Sequence, residues 1–308
     1  MPAFKTIRAR AEKRKGGPKA LEKLMPAKPD LKGLAKLGDD RILAEMTKRV
    51  FCAGFAWSVI DSKWDGFEEA FLHFQPAKLS FQPEDYWEGL LRDARIVRNG
   101  AKIMSVRDNA AFVQEIAKEH GSFGKFLAKW PSSNEIGLLD LLTKRGSRLG
   151  GNTGQMLLRF VGWDGFVTSR DVAICLRDAG LDIAEEVKSK GDLAKVQAQF
   201  NAWAEETGLP YTHLSRICAL SVGENRSEKQ IATPARTRAD RDIRLVEAAD
   251  ERSARSDHVH LVAISCRERG GCNARSQNTF RRNIYRQRLF GFEPGEKSAG
   301  NTRSRPGQ

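Results

Sequence analysis

The stretch RVFCAGFAWSV, Arg49 to Val59, gathers one cation and three aromatic rings around a glycine. Phe51, Phe55 and Trp57 offer ring faces that attract a planar cation, an interaction worth on the order of 2 kcal/mol in a dry site. The stretch itself holds no carboxylate. Glu45 lies four residues before Arg49, on the same face of a helix, where it can pair with Arg49 or approach a pocket. Phe51 and Phe55 are also four apart and share a helical face, whereas Trp57 points elsewhere. Aromatic side chains at this spacing usually fill a core, and a pocket wall is the other reading. Both readings stand at this point.

A second constellation is RGSRLGGNTGQMLLRFVG, Arg145 to Gly162. Gly150, Gly151 and Gly154 allow tight dihedrals and leave backbone N–H groups uncovered. With Asn152 and Thr153 they open an amphipathic helix whose positive end makes an anion site. Arg145, Arg148 and Arg159 flank this turn. The layout is that of a helix-hairpin-helix, which grips a DNA phosphate without reading bases. A plain interhelical turn with glycine caps has the same text. Further upstream, Arg98-Asn99-Gly100-Ala101-Lys102 reads as a helix-ending turn with Arg98 and Lys102 as solvated cations.

These residues need helices to position them. From Leu31 to about Val222 apolar residues recur at three and four, as in Ile42, Leu43, Met46, Val50 and Ala53, and alternating strand patterns are scarce. The expected class is all-α. Residues 1–30, rich in Lys and Arg and broken by Gly16, Gly17 and prolines, read as a solvated basic arm with one short helix around Ala20–Leu24. Residues 31–225 read as the globular domain.

Residues 226–308 are different text. They hold 16 Arg against 2 Lys and ten acids, and have low hydrophobicity, so they are expected to be disordered. The abrupt switch in basic-residue usage raises the expectation of a read-through or frameshifted end. An uninterrupted frame in independent isolates would sink that idea.

A formal net charge of +13 points to a polyanionic partner, nucleic acid first and a membrane surface or ribosome second. No run of 18 apolar residues occurs, so no membrane span is expected. The five cysteines, Cys52, Cys175, Cys218, Cys266 and Cys272, fit neither a zinc ribbon nor a disulfide framework, which suits a reducing cytoplasm. Cys52 and Cys175 lie in apolar text, where thiols pack as small hydrophobes.

The ordered set AGFAW, FQPAKL, LLRDARIVRNGAKI and RGSRLGGNTGQMLLRFVG resembles bacterial 3-methyladenine DNA glycosylase type I over about residues 39–181. That family belongs to the helix-hairpin-helix DNA glycosylase superfamily. The resemblance implies an enzyme that flips an alkylated purine out of duplex DNA and hydrolyses its N-glycosidic bond. Trp57 matches the family's pocket tryptophan, so Arg49, Phe51, Phe55 and Trp57 become the expected base pocket. Arg148, Gly150, Gly151, Asn152, Thr153 and Gly154 become the expected phosphate contacts.

Two family features are absent. The Tyr-His-Asp-x-Glu-Trp-Gly opening and the two Cys and two His that clamp zinc have no counterpart, so no metal and no cofactor are expected. The family's base-contacting glutamate falls at Arg49, which leaves Glu45 and Asp171 (in FVTSRDV) as candidate catalytic carboxylates. The lysine of lyase-type superfamily members falls at Gln155, which implies a monofunctional enzyme. The resemblance further implies a monomer on alkylated double-stranded DNA, associated with a bacterial nucleoid. The alternative is a catalytically inactive relative that binds damaged or distorted DNA.

Overall fold

A computed structural model of the chain describes residues 3–223, which form fifteen α-helices and no strand. They are α1 (Phe4–Lys15), α2 (Pro18–Lys23), α3 (Leu31–Lys36), α4 (Asp39–Cys52), α5 (Trp57–Ser62) and α6 (Trp64–Ala70). Then come α7 (Pro76–Ser80), α8 (Glu84–Leu90), α9 (Gly100–His120), α10 (Phe123–Lys129) and α11 (Glu135–Arg145). The last four are α12 (Asn152–Phe160), α13 (Arg170–Asp178), α14 (Lys190–Thr207) and α15 (Tyr211–Ser221). The all-α expectation holds. Residues 226–308 and their expected disorder lie outside the described residues. Among the described residues no helix is long and apolar enough to cross a membrane.

The local text of α4 explains its place. Asp39 and Asp40 fill its first turn, where the positive end of the helix dipole favours carboxylates. Ile42, Leu43, Met46 and Val50 follow at three- and four-residue steps and are buried. Asp39 Oδ1 accepts a hydrogen bond from Phe123 N at 2.8 Å, tying the start of α4 to the start of α10.

Two hydrophobic cores result. The first is built from α3 to α12 and centres on Phe51, Phe67, Phe71 and Phe74, with Trp64 stacked on Phe67 and Phe74. The second joins α1 and α2 to α13, α14 and α15, where Phe166 stacks on Phe200 with centroids 4.6 Å apart.

The N-terminal reading needs correction. Instead of a solvated arm, α1 lies along α15 with Phe4, Ile7 and Ala11 buried, and Phe4 packs on Trp203 at 5.2 Å. Glu206 Oε1 and Oε2 accept from Phe4 N at 3.0 and 3.3 Å, covering the start of the helix. The apolar positions, three and four residues apart, were masked by cations on the opposite face. One of them, Arg10, reaches inward to Ser221 Oγ at 3.2 Å and Cys175 Sγ at 3.6 Å. Cys175 is therefore more than filler. The adjoining Cys218 thiol, then Ser221 and Arg10, hold it down to about 7 against the effect of burial.

A buried polar seam joins the cores. Glu135, fully buried at the start of α11, accepts from Phe166 N at 2.7 Å through Oε2, while Oε1 has no partner. Arg159 Nη2 donates to Gly165 O at 3.2 Å and Ser215 Oγ at 2.9 Å, and Thr212 Oγ1 donates to Gly165 O at 3.2 Å. Burial pushes the Glu135 carboxyl well above the usual range, outweighing the Phe166 N–H and Arg159.

Two outcomes follow from this packing. Phe4→Ala removes a large ring from a closed core and is expected to cost about 3–5 kcal/mol in urea denaturation. A cost under about 1 kcal/mol would mean that α1 is peripheral. Glu135 binds its proton more tightly folded than unfolded, so its contribution is complete below the ordinary value of 4.5 and is lost as pH rises through the folded value. Glu135→Gln keeps the acceptor for Phe166. It should match the wild-type Tm near pH 4.5 and exceed it by about 2–4 °C near pH ~8. Lower stability of the variant at the higher pH would show that the carboxylate is well paired.

Candidate active site

The end of α4 and the start of α5 meet the end of α12 around one side chain. Arg49 is 5% exposed. Its Cζ lies 4.8 Å from the Trp57 ring centroid and 4.0 Å from that of Phe160. The two rings approach each other edge to face, 5.6 Å between centroids. Arg49 Nε lies 2.6 Å from Glu45 Oε1. The contact is ionic but poorly aligned, so Glu45 Oε1 and Arg49 Nε and Nη1 lack a hydrogen-bond partner of good geometry. Burial raises the Glu45 carboxyl above its usual value, while Arg49 and then Lys48 pull it back. Lys48 meets Asp61 Oδ1 at 2.6 Å, pinning α4 to α5.

The other aromatic residues of the opening stretch divide. Phe51 and Phe55 do not share a helix face, because α4 stops at Cys52 and the chain turns through Ala53 and Gly54. Phe51 is wholly buried and packs edge-on to Phe67 at 4.8 Å, which makes it core rather than pocket wall. Phe55 is half-buried and covers Lys102 Nζ at 4.3 Å from its ring centroid. Cys52, beside them, is pushed up to about 11 by burial.

Lys102 is no solvated cation. It is buried, and its Nζ donates to Phe51 O at 3.1 Å and Ala53 O at 2.6 Å. Those carbonyls belong to the end of α4, which an α-helix leaves without internal partners. Burial, then repulsion from Arg148, lowers Lys102 to about 8. Its own helix, α9, is capped by Asn99, whose side chain accepts from Lys102 N at 3.1 Å.

The same helix fixes the hairpin. Asn109 Nδ2 donates to Ser147 O at 3.0 Å, and Ser147 N donates back to Asn109 Oδ1 at 2.8 Å. Arg148 has a φ of +60° and donates through Nε to Ala101 O at 3.2 Å. Gly154 is required because a Cβ there would lie 2.5 Å from Leu149 O. Gly151, with φ of +56°, opens on free space, and no side chain caps α12. The N–H groups of Asn152, Thr153 and Gly154 stand at the positive end of that helix.

Two flanking arginines are otherwise engaged. Arg145 meets Glu115 at 3.2 Å and Glu119 at 3.5 Å. Arg159 is turned into the seam between the cores. Gln155 accepts from Thr168 N at 3.1 Å and Thr168 Oγ1 at 2.9 Å, locking α12 to the segment before α13.

The two candidate carboxylates separate as well. Glu45 lies with the ring pair. Asp171 sits exposed in the first turn of α13, beside Gly223, on a helix of the second core. Ser169 caps that helix by accepting from Val172 N at 3.3 Å. Among the described residues no group of three or more His, Cys, Asp or Glu is placed to hold a metal ion. Phe160 and Lys102 are the site residues that sequence reasoning missed. The available signals were a phenylalanine ending an amphipathic helix and a lysine three residues after a capping asparagine.

The family model described as methyladenine glycosylase matches residues 33–138, which contain Glu45, Arg49, Trp57 and Lys102 but end before the hairpin turn. Solved structures similar to this chain include a 3-methyladenine DNA glycosylase I at 20% identity and TM-score 0.37, with 44% of this chain and 81% of that one covered. Another is the Staphylococcus aureus 3-methyladenine DNA glycosylase I solved to show 3-methyladenine recognition. It has 20% identity and TM-score 0.37, with 50% of this chain and 85% of that one covered.

Lys102→Met keeps the apolar stem and leaves the Phe51 carbonyl without its donor. The expected cost is about 1–3 kcal/mol in urea denaturation, with a shift in tryptophan emission as the start of α5 loosens. An unchanged midpoint would mean that water or neighbouring N–H groups satisfy the end of α4.

Proposed function

We propose that this chain, whose residues 33–138 match the family model described as methyladenine glycosylase, is a DNA repair glycosylase for alkylated purines of the 3-methyladenine type. The observation that carries the reading is the Trp57–Phe160 ring pair with a planar cation, the Arg49 guanidinium, against both rings. An N-alkylated purine is also a planar cation, and its positive charge makes it an easier leaving group. The lesion flips from the duplex, stacks against the rings and takes the place the guanidinium holds in the free protein. Arg49 then turns edge-on, still charge-balanced by Glu45.

Hydrolysis needs water at the sugar carbon while the N-glycosidic bond breaks through an oxocarbenium-like state. Glu45, the carboxylate beside the rings, is the residue we assign to stabilise that charge and accept the water's proton. Asp171 has no part in this scheme. The leaving base carries away the bonding electron pair and departs neutral. No amine is assigned an attacking role, because Gln155 occupies the end of the hairpin and Lys102 is bound to two carbonyls. The reading is therefore a monofunctional hydrolase.

DNA is held at the hairpin, with Gly150, Gly151, Asn152, Thr153 and Gly154 offering N–H groups to a phosphate and Arg148 beside them. Such contacts carry no base information, so affinity should fall with salt whatever the sequence. The partner is duplex DNA with alkylated bases, met by a monomer.

A second reading is favoured by one observation. Arg49 is buried, paired with Glu45, and already lies against both rings. If the guanidinium never leaves, the chain binds distorted DNA without releasing a base.

The full-length protein on methylated duplex DNA separates the two. The expected result is release of methylated purines, reduced at least about 100-fold in Trp57→Ala with DNA affinity within about twofold of wild type. Gly151→Leu, strained at positive φ and blocking the turn, should instead weaken binding about tenfold on any duplex. Salt-sensitive binding with no release would establish the second reading.

A further inference from the structure

Arg49 carries more information than a filled space. A guanidinium has five N–H donors and no acceptor. Here Nε and Nη1 are buried and lack a well-aligned partner, even though Glu45 is 2.6 Å from Nε. Leaving such donors unmatched in a buried site is costly, and a ligand with acceptors there would recover that cost. The direction is fixed too. The side chain is tied to Glu45 on its own helix and lies against the rings of Trp57 and Phe160, so a base that takes its place on those rings meets the edge of the guanidinium.

We infer that Arg49 reads the lesion by its edge, and that among 3-alkylated purines the preferred substrate is the guanine type, bound through O6 and N7. Those two atoms are adjacent acceptors in one plane, the pair that an arginine fork fits with two parallel hydrogen bonds. An adenine-type purine presents N7 beside an exocyclic amino group. That amino group meets the guanidinium donor to donor, and one hydrogen bond is lost with two donors opposed. Glu45 cannot repair this, because its near oxygen is directed at Arg49. It does cancel the arginine's charge, so a cationic base is not repelled by a naked guanidinium. Phe160, 49% exposed at the end of α12, is the ring through which the base would enter.

This inference rests on the glycosylase reading only for the location of the pocket, and it can be tested apart from turnover. The first measurement is tryptophan fluorescence of the full-length protein titrated with free 3-methylguanine and free 3-methyladenine, with Trp57→Phe identifying the responding ring. Wild type is expected to bind 3-methylguanine about tenfold more tightly. Arg49→Gln, which offers an acceptor as well as donors, should bring the two bases within about threefold. Arg49→Lys keeps the charge, loses the fork, and should do the same if the glutamine variant fails to fold.

The second measurement is the rate of release of each base from methylated duplex DNA, normalised to its content. Faster release of 3-methylguanine supports the inference. Release favouring 3-methyladenine, with matching binding, overturns the inference and leaves the glycosylase reading standing. No release of either base, with the binding preference intact, supports the inference and overturns the glycosylase reading. Equal binding of the two bases by wild type, or an unchanged preference in both variants, overturns the inference.

Discussion

A guanidinium taken out of water has to be compensated, and the candidate pocket is organised around how Arg49 achieves this. One partner is ionic, Glu45 on the preceding turn of α4. The other two are ring faces, Trp57 at the start of α5 and Phe160 at the end of α12. Two consecutive helices and a third about a hundred residues further on thus meet on one side chain. The compensation is incomplete, because the ion contact is off alignment and burial works against the ionised form of Glu45. An arrangement of this kind has more to gain from a ligand than a closed core has.

That pocket and the hairpin are held in register by α9. Its buried polar residues Lys102 and Asn109 bond to neighbouring segments. Lys102 closes the carbonyl end of α4, Asn109 exchanges two hydrogen bonds with Ser147, and the carbonyl of Ala101 receives Arg148. A single rigid helix therefore sets the spacing between the surface that would hold a phosphate and the rings that would hold a base. Phe160, half exposed, forms the rim of the site. The second core buttresses α11 and α12 from the opposite side through Glu135, Gln155 and Arg159.

Much of this was legible in the sequence where the determinants are local. The helical class, the apolar face of α4 and the glycine turn before α12 follow from spacing and backbone conformation alone. What escaped was set by partners far along the chain. Phe160 looks like a surface residue of an amphipathic helix until Trp57, about a hundred positions earlier, is brought beside it. Lys102 looks solvated until two carbonyls of α4 are found at its ammonium. Arg159 reads as a cation flanking the glycine turn, yet Ser215 and Gly165 draw it inward. In α1 the three buried positions were outnumbered by charge, and average composition hid a short amphipathic stripe. Phe51 and Phe55 read as sharing a helix face, but α4 ends at Cys52 between them, and Phe51 is core.

The most direct measurement is a crystal structure of the protein on a duplex carrying one 2′-fluorinated, non-hydrolysable 3-alkylpurine nucleotide. The account requires the base outside the stack, lying against Trp57 and Phe160, with Arg49 displaced to its edge and a phosphate at the N–H groups of residues 152–154. A base still stacked in the duplex, with Arg49 unmoved against the two rings, would contradict it.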